Sequence, residues 1–551
     1  MALGVRLLTK IVVFTLLAAT FGAAQETRQP KFDLADVHTS KTAPGFVQNF
    51  GGVLRAGRYV NRDVTLLDLI QAAYSATEDT ISGGPGWLGS DLFDVIAKVP
   101  DHTNMATANL MLRSLLEERF HLVVRNDTRP VPRYVLIVGK PGSKLKVAAG
   151  SGSARCDPIQ QGGGGPGGPG GRGPVDLASV PNIKVACRNL TAPDIADNLR
   201  QMAGGYLDHD VVDSTGLEGS FDFDIEWTPR AALEAKGSDG ISIFNAVEKQ
   251  LGLKLEKKDV PLPTLAIESV NRKPTPNPPE VATVLALSPA RFEEASIKPA
   301  DPDKPPFQGL LYTGGSQMRA GGTLRFMIAL SLQIPPNLAN DMVVGVPKSA
   351  DTQRWEINAK VPMTGEGAPN VVKGRPQPPP FSVGLEMLQG LLLDQFGLKT
   401  HTEDREVTVY ALTLGGGKHK LTQAADSDRV GCRPDNTAPK PVSNMGPMIA
   451  CKNTSMAELA QNLERMANAY IDHPIIDATG LQGGWNFLIG WTPRGMLTPS
   501  PAADTNQGEA SDPNGISLFE AVEKELGLKL VKQKHSVPVT VVDHVNEKPV
   551  E

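Results

Sequence analysis

Apolar residues recur along the chain with two spacings, one typical of strands and one typical of helices. The strand spacing is clearest in FDFDIEW at residues 221–227, where every second residue is apolar and the residues between are acidic. Because successive side chains of a strand point to opposite faces, this segment predicts a strand with one buried face. Short apolar runs at residues 134–138 and 410–414 predict further strands.

Helices are predicted where a serine or threonine opens a run with helical apolar spacing. An acidic residue follows three positions later in the capping-box pairs Thr65 with Asp68, Thr191 with Asp194, Ser455 with Glu458, and Ser517 with Glu520. Ser242 opens a further helix without the acidic partner. Gly252 and Gly527 follow the expected ends of the last helix in each half, as is typical of a helix C-terminus.

The same succession of elements occurs twice, because long blocks recur. DHDVVDSTGLEGSFDFDIEWTPR from Asp208 returns as DHPIIDATGLQGGWNFLIGWTPR from Asp472. We therefore expect two homologous tandem domains, at residues 32–272 and 291–551, joined by a Pro-rich linker at residues 273–290. Each domain is expected to be α+β, with a mixed or antiparallel sheet packed with several helices, because the regular βαβαβ order of doubly wound folds is absent.

Residues 1–24 are expected to be a signal peptide. Arg6 and Lys10 precede an apolar run, and small residues ending at Ala24 provide a cleavage site. A membrane anchor is the alternative, but the run is shorter than the ~20 residues that span a bilayer. No later segment is apolar for long enough to be a transmembrane segment, so the mature protein is expected to be periplasmic or secreted.

Export permits disulfide bonds, and the four cysteines allow three pairings. The repeat selects one of them. Cys156 and Cys432 stand at the same distance after a matched leucine, and Cys187 and Cys451 lie in the matched strings VACRN and IACKN. We therefore predict the disulfides Cys156–Cys187 and Cys432–Cys451. A zinc site is disfavoured because the cysteines lack Cys-x-x-Cys spacing.

Composition excludes one class of partner. The 551 residues include 55 Lys and Arg against 60 Asp and Glu, a formal net charge of −5, so the chain is not a basic protein that neutralises nucleic-acid phosphates. The glycine-rich segment 162–173 lacks the Gly-Lys-Ser/Thr ending and the flanking elements of a phosphate loop, so a flexible loop is expected. No motif indicates a cofactor or a metal.

Two copies of an Asp-His-x-x-x-Asp string are the best candidates for chemistry. The first string contains His209 and Asp213, and the second contains His473 and Asp477. A carboxylate can orient an imidazole for base or metal chemistry, which makes these residues candidates. The alternative is a structural role, because the second aspartate precedes a Thr-Gly turn and its carboxylate would accept hydrogen bonds from the amides of that turn. Each string continues as Asp-x-Thr-Gly, which has one residue more than the Asp-Thr/Ser-Gly turn of aspartic proteases. The extra residue would displace the carboxylate from the site where the two aspartates of those proteases share a proton.

Two features of the strand FDFDIEW have both a functional and a structural interpretation. Asp222, Asp224 and Glu226 could bind calcium, but the second copy lacks these acids, so a solvated sheet face is favoured. Trp227 and Trp491 share the phase of the apolar residues before them. We therefore predict that both are buried packing residues rather than exposed stacking platforms for a glycan.

Several strings carry a family resemblance: FEEASIKP at Phe292, LLDLIQAAY ending at Tyr74, ISGGPGW at Ile81, FDVIAKVP at Phe93, LLEERFHL at Leu115, VVDSTGLEGSFDFDIEWTP at Val211 and SIFNAVEKQLGLKLE at Ser242. Together they resemble a soil-associated family of exported acidobacterial proteins, domain of unknown function 3738, present here as two tandem copies. Some members resemble the outer portion of sensor metallopeptidases of the β-lactam-receptor type, which implies at most a partner- or ligand-sensing role. The family has no established catalytic residues, so the resemblance implies none here.

The sequence thus favours an exported, non-enzymatic binding or interaction module of the cell envelope, because the scaffold is repeated without an evident catalytic set. The expected partner is an envelope protein, a peptide or a glycan. The alternative is a hydrolase that uses the Asp-His-x-x-x-Asp strings. An open cleft that holds His209 beside Asp213 would favour the enzyme, whereas burial of both around a turn would favour the scaffold.

Overall fold

Among the residues that the computed structural model describes, both halves of the chain contain the same set of three four-stranded sheets. The described residues run from 29 to 550 without 41–51, 56, 141, 149, 151, 160–178, 286–289, 315, 363–370, 373–374, 377–378, 380, 426–428, 436–437, 439–444 and 498–514. The expected signal peptide and the glycine-rich segment 162–173 lie outside the described residues.

The first copy is built on sheets with the strand orders β1-β5-β3-β2, β10-β6-β12-β4 and β7-β11-β9-β8. Its strands are β1 (Leu34–Thr39), β2 (Val53–Arg55), β3 (Arg58–Thr65), β4 (Ile81–Gly83), β5 (Leu92–Lys98), β6 (Val123–Val138), β7 (Lys146–Val147), β8 (Arg155–Pro158), β9 (Ile183–Thr191), β10 (Val211–Asp213), β11 (Ser220–Trp227) and β12 (Leu253–Ser269). Its helices are α1 (Leu66–Tyr74), α2 (Met105–Phe120), α3 (Ala192–Met202), α4 (Arg230–Lys236) and α5 (Ile243–Ala246), the last continuing as a π-helical turn. Only the second of these sheets is mixed, because β10 and β4 pair in parallel with β6 and β12.

The second copy repeats these orders as β13-β17-β15-β14, β24-β20-β26-β16 and β21-β25-β23-β22. A short helix α6 (Val281–Val284) precedes it. Its strands are β13 (Glu294–Pro299), β14 (Gly309–Gly314), β15 (Gln317–Thr323), β16 (Val343–Val344), β17 (Arg354–Lys360), β18 (Val371–Val372), β19 (Arg375–Pro376), β20 (Lys399–Leu414), β21 (Thr422–Gln423), β22 (Gly431–Asp435), β23 (Met448–Thr454), β24 (Ile475–Asp477), β25 (Trp485–Ile489) and β26 (Leu528–His544). Its helices are α7 (Leu324–Ser331), α8 (Ala339–Met342), α9 (Ser349–Thr352), α10 (Phe381–Phe396), α11 (Met456–Met466) and α12 (Leu518–Ala521). The predicted α+β class and the tandem duplication are confirmed.

A long two-stranded ribbon joins two lobes within each copy. In the first copy this ribbon is the antiparallel pair β6 and β12. Leu136 and Leu253, at one end, belong to the core formed with β9, β11 and α3. Leu265 and Ile267, at the other end, belong to the core formed with α1, α2 and β5. The pair β20 and β26 joins the lobes of the second copy in the same way.

The ribbon strands are longer than the apolar runs predict. The expected strand 134–138 is only the last part of β6, which has 16 residues, and the strand 410–414 is the last part of β20. The first part of β6 is polar and largely exposed, so hydropathy does not mark it. Its backbone groups are paired with β12, and this ladder supplies the hydrogen bonds that hold it.

The predicted helix starts are confirmed by their caps. The Thr65 hydroxyl accepts a hydrogen bond from the Asp68 N–H, and the Asp68 carboxylate accepts one from the Thr65 N–H. Equivalent reciprocal boxes open α3, α11 and α12. Gly252 and Gly527 have φ of 68° and 72°, a left-handed conformation that glycine adopts without strain.

Both predicted disulfides, Cys156–Cys187 and Cys432–Cys451, are present. The cysteines of each pair stand directly opposite each other on neighbouring antiparallel strands, β8 with β9 and β22 with β23. Each bond therefore joins the edge strand of its sheet to the next strand. No helix within the described ranges is long and apolar enough to cross a membrane.

The two tryptophans do not share one environment. Trp227 is 1% exposed and lies in the core, as predicted. Trp491 is only half-buried against its core. The reason is that β25 ends at Ile489, so the strand alternation does not extend to Trp491. The carbonyl of Trp491 instead accepts a hydrogen bond from the N–H of Gly446, outside the ladder.

Residues 273–285 of the expected linker pack on the first copy. The Thr275 N–H donates to the Arg119 carbonyl over 2.8 Å, and the Val37 N–H donates to the Asn277 side chain over 3.0 Å. Val281 of α6 and Leu285 directly after it are buried against Val60 of β3 and Ile96 of β5. This segment is therefore held on the outer sheet of the first copy.

Candidate functional site

The first Asp-His string lies beside the ribbon, where it forms a polar cluster with two side chains of β6 and β12. Tyr134 donates its hydroxyl to Asp208 over 2.8 Å, and Lys257 donates to the same carboxylate over 3.1 Å. The Nε2 atom of His209 lies 3.5 Å from Asp208. The imidazole thus has the preceding aspartate as its carboxylate neighbour.

The second copy contains the same cluster with one addition. Tyr410 donates to Asp472 over 2.9 Å, Lys532 lies 3.7 Å from this carboxylate, and the Nε2 atom of His473 lies 3.8 Å from it. The Nδ1 atom of His473 lies 2.6 Å from a carboxylate oxygen of Asp341 in α8. His473 is therefore placed between two carboxylates.

The second aspartate of each string has a different role. Asp213 accepts the N–H of Thr215 over 2.9 Å, and Asp477 accepts both the N–H and the hydroxyl of Thr479. Among the described residues, no hydrogen bond or ion pair joins either aspartate to the histidine of its own string. These carboxylates stabilise the turn that follows β10 and β24.

Burial and hydrogen bonding set the protonation of the cluster. Burial and the hydrogen bond to Asp208 raise the pKa of Tyr134, so the phenol keeps its proton. Burial alone would raise the pKa of Asp208, but the hydrogen bonds from Tyr134 and Lys257 hold it below its ordinary value. The Asp208 carboxylate thus already accepts hydrogen bonds from two donors, and it lies next to the His209 imidazole, which is 26% exposed.

The Asp-His-x-x-x-Asp pattern does not point to the tyrosines, the lysines or Asp341. The repeat does mark the tyrosines and the lysines. Tyr134 matches Tyr410 in the repeated blocks, and Lys257 matches Lys532. Asp341 has no such signal, because it reaches His473 from α8 only through the folding of the chain.

The copies differ around this cluster. In the first copy, the nearly buried Arg133 forms ion pairs with Asp79 and Asp210. In the second copy, Val409 replaces Arg133, and Glu464 accepts the Ile475 N–H over 2.6 Å. Burial raises the pKa of Glu464 to about 7.

The acidic face of β11 is occupied by partners on β9. Asp222 accepts the Asn189 N–H, Arg188 pairs with Asp224, and Lys184 pairs with Glu226. Within the described part of the chain, no cluster of three or more His, Cys, Asp or Glu side chains is arranged to hold a metal ion. These carboxylates are best described as part of the sheet surface.

A cleft of about 460 Å³ lies where the two copies meet. One wall consists of α1 and the turns that follow it, and the other consists of β22 and α11. The charged and amide side chains that line these two walls include Asp68, Gln71, Glu78, Arg433, Gln461 and Arg465. Cys432 also lines it, so one disulfide is part of the cleft wall.

Arginines hold the two walls together. Arg433 pairs with Glu78 across the cleft, and Arg429 donates to the carbonyls of Ile81 and Gly83 over 3.0 and 3.2 Å. Burial lowers the pKa of the Arg429 guanidinium. The cleft is therefore framed by direct contacts between the copies and has the size of an ordinary small-ligand site.

The fold and these sites define a duplicated, disulfide-bonded α+β protein. The chain belongs to the family described as protein of unknown function (DUF3738), whose model matches residues 67–270 and 327–545. No curated protein and no solved structure matches the chain. The family match agrees with two tandem copies and brings no activity with it.

Proposed function

We propose that the chain is an exported, non-enzymatic binding module of the cell envelope. Its two copies bind an envelope peptide, glycan or protein in the cleft between them. The two disulfides support export, because such bonds persist in oxidising compartments such as the periplasm or the cell exterior. The signal peptide expected at residues 1–24 belongs to the same proposal.

The observation that carries the proposal is that polar side chains facing the cleft differ between the copies. Asp68 and Gln71 on α1 have Phe326 and Ala329 at the matching positions of α7, counted from the threonine caps of both helices. On the opposite wall, Arg433 and Arg465 match Asp157 and Gln201 of the first copy. Packing residues recur, whereas these do not.

This difference supports binding rather than scaffolding. A residue that serves the fold alone has the same task in both copies, as the serine and threonine caps of α3 and α11 do. Asp68 and Glu458 also cap their helices, but the Gln71 and Gln461 side chains have no such task, and they line the cleft where α1 of the first copy faces α11 of the second. The cleft therefore exists only where the two copies meet, and binding of a ligand is the simplest reason for its polar lining.

A blocking substitution tests the proposal. Gln461→Trp places a large side chain on the cleft wall, and Asp197→Trp places the same side chain at the matching, exposed position of α3. The chain without residues 1–24 is immobilised and exposed to a solubilised envelope fraction, and retained material is identified by mass spectrometry. We expect Gln461→Trp to lose material that the wild type and Asp197→Trp retain. Equal retention by all three would contradict a cleft ligand.

A hydrolase is the second candidate, favoured by one observation. An imidazole lies beside a carboxylate at the same place in both copies, with Nε2 distances of 3.5 and 3.8 Å. The double variant His209→Gln/His473→Gln separates the two candidates when assayed on a panel of chromogenic esters, peptides and glycosides. Turnover by the wild type that the double variant loses would favour the hydrolase over the binding module.

A further inference from the structure

Arg465 is the charge in the cleft that the protein leaves without a counter-ion. Its guanidinium donates to the side-chain oxygen of Asn462, and among the described residues no carboxylate lies within ion-pair distance of it. The adjacent Glu464 is turned to the Ile475 N–H. Burial lowers the pKa of Arg465, and the charge of the neighbouring Glu464 offsets this loss of hydrating water only in part.

The acids of the cleft are already engaged. Asp68 accepts the N–H and hydroxyl of Thr65 at the start of α1, and Glu458 accepts the same groups of Ser455 at the start of α11. Both carboxylates also lie at helix N-termini, where the helix dipole favours negative charge. The third acid of the cleft is paired with Arg433. Arg465 therefore remains as the uncompensated charge.

Amide side chains flank this guanidinium. Gln461 lies on the same helix as Arg465, and Gln71 lies on the opposite wall. Neither side chain has a hydrogen-bond partner among the described residues. A ligand in the cleft thus meets one guanidinium without a counter-ion and two amides without partners, and each amide can both donate and accept.

Building on the proposed function, we infer that the cleft binds a ligand through a carboxylate held by Arg465, with Gln71 and Gln461 hydrogen-bonding to the polar groups beside it. A guanidinium matches a carboxylate with two parallel hydrogen bonds, and partial burial strengthens them. The carboxylate can belong to the C-terminus of a peptide or to an acidic sugar. Both sources present the same anion next to amide or hydroxyl groups.

Matched pairs of probes test the inference and distinguish the sources. N-acetylmuramic acid is compared with N-acetylglucosamine, which lacks its carboxylate, and acetyl-trialanine is compared with its C-terminal amide. Binding to the chain without residues 1–24 is measured by isothermal titration calorimetry. We expect the acid of at least one pair to bind about tenfold or more tightly than its neutral counterpart, as for a charge-assisted hydrogen bond.

The variant Arg465→Gln tests whether the Arg465 guanidinium binds the carboxylate. Glutamine is the residue that the first copy has at the matching position, Gln201. The variant is expected to abolish the preference for the acid. Arg405→Gln removes an exposed arginine on β20 that pairs with Glu403 and is expected to retain the preference. The inference is overturned if no acid binds, if acid and neutral probes bind equally, or if Arg465→Gln keeps the preference.

The inference and the proposed function fail on different results. If Gln461→Trp loses the envelope material while Arg465→Gln retains it fully, the cleft remains the binding site and the carboxylate is not what it recognises. If Gln461→Trp also retains the material, the cleft does not bind it and the proposed function fails. Circular dichroism of each variant verifies that it is folded like the wild type.

Discussion

Trp227 is among the largest side chains that the described part of the chain buries fully, and it ends β11, a strand in which buried residues alternate with less buried ones. Trp227 belongs to the same core as the apolar residues of β11 and α3. A tryptophan that is buried in this way stabilises the fold, and a ligand cannot reach it. Trp491, at the matching position, is half-buried and supports less of its core.

We therefore expect Trp227→Ala to lower the free energy of unfolding by about 3–5 kcal/mol, as large-to-small aromatic changes in cores do. Trp491→Ala should cost clearly less. Urea denaturation of the full chain, followed by circular dichroism, measures both variants. An unchanged midpoint for Trp227→Ala would show that the side chain does not support the core.

Glu464 gives a prediction about pH. Its pKa in the folded protein is about 7, above the ordinary value of 4.5, because burial disfavours the charged form. The folded state then holds this proton more tightly than the unfolded state, so its contribution to stability falls as the pH rises from 4.5 to 7. The full loss, above pH 7, is about 3 kcal/mol.

Glu464→Gln keeps an oxygen for the Ile475 N–H and removes the titration. We expect it to stabilise the protein at pH 8 and to leave its stability at pH 4.5 nearly unchanged, as measured by urea denaturation at both values. The exposed Glu523→Gln, which loses a surface pair with Lys529, is the control. An equal effect of Glu464→Gln at both pH values would contradict the prediction.

Helix caps and strand phases were predictable because they depend on residues close together in the sequence. The Thr65 box and the alternation of β11 each lie within eight residues or fewer, and the disulfides followed from the duplication. The long ribbons were not predictable, because the polar part of β6 is a strand only through its pairing with β12. The neighbours of His473 were also hidden, since Asp341 precedes it by 132 residues.

The disulfide of the second copy gives a prediction about the cleft. Cys432 lines the cleft, the Asn462 amide donates to its sulfur over 3.5 Å, and the next residue, Arg433, pairs with Glu78. Cys432→Ala/Cys451→Ala should lower stability by about 3 kcal/mol. It should also weaken binding of the preferred acid probe several-fold, because β22 loses its anchor.

The other disulfide provides the matched control. Cys156→Ala/Cys187→Ala should lower stability by a similar amount and leave probe binding unchanged, because that bond lies in the first copy outside the cleft. Calorimetry at a temperature where both double variants are folded measures the difference. Equal losses of binding in the two variants would show that the cleft does not depend on β22.

The relative placement of the two copies decides whether the cleft exists, and one carboxylate outside the cleft contributes to that placement. Glu386 of α10 accepts two hydrogen bonds from Arg55, each 3.1 Å long, and one from Arg62 over 3.3 Å. The Arg55 side chain is only 3% exposed. This contact lies apart from the cleft residues, so it can be changed without altering the lining.

Glu386→Gln removes the negative charge that two guanidinium groups share, one of them on the nearly buried Arg55, so the substitution should weaken this contact between the copies. We expect the copies to come apart, so that small-angle X-ray scattering gives a larger radius of gyration and calorimetric unfolding divides into two transitions. Binding of the preferred acid probe should weaken as the two walls separate. Glu403→Gln, which removes an exposed pair with Arg405, should change none of these quantities. If Glu386→Gln keeps one transition, the same radius and the same affinity, the copies are held together by other contacts and the cleft does not depend on this ion pair.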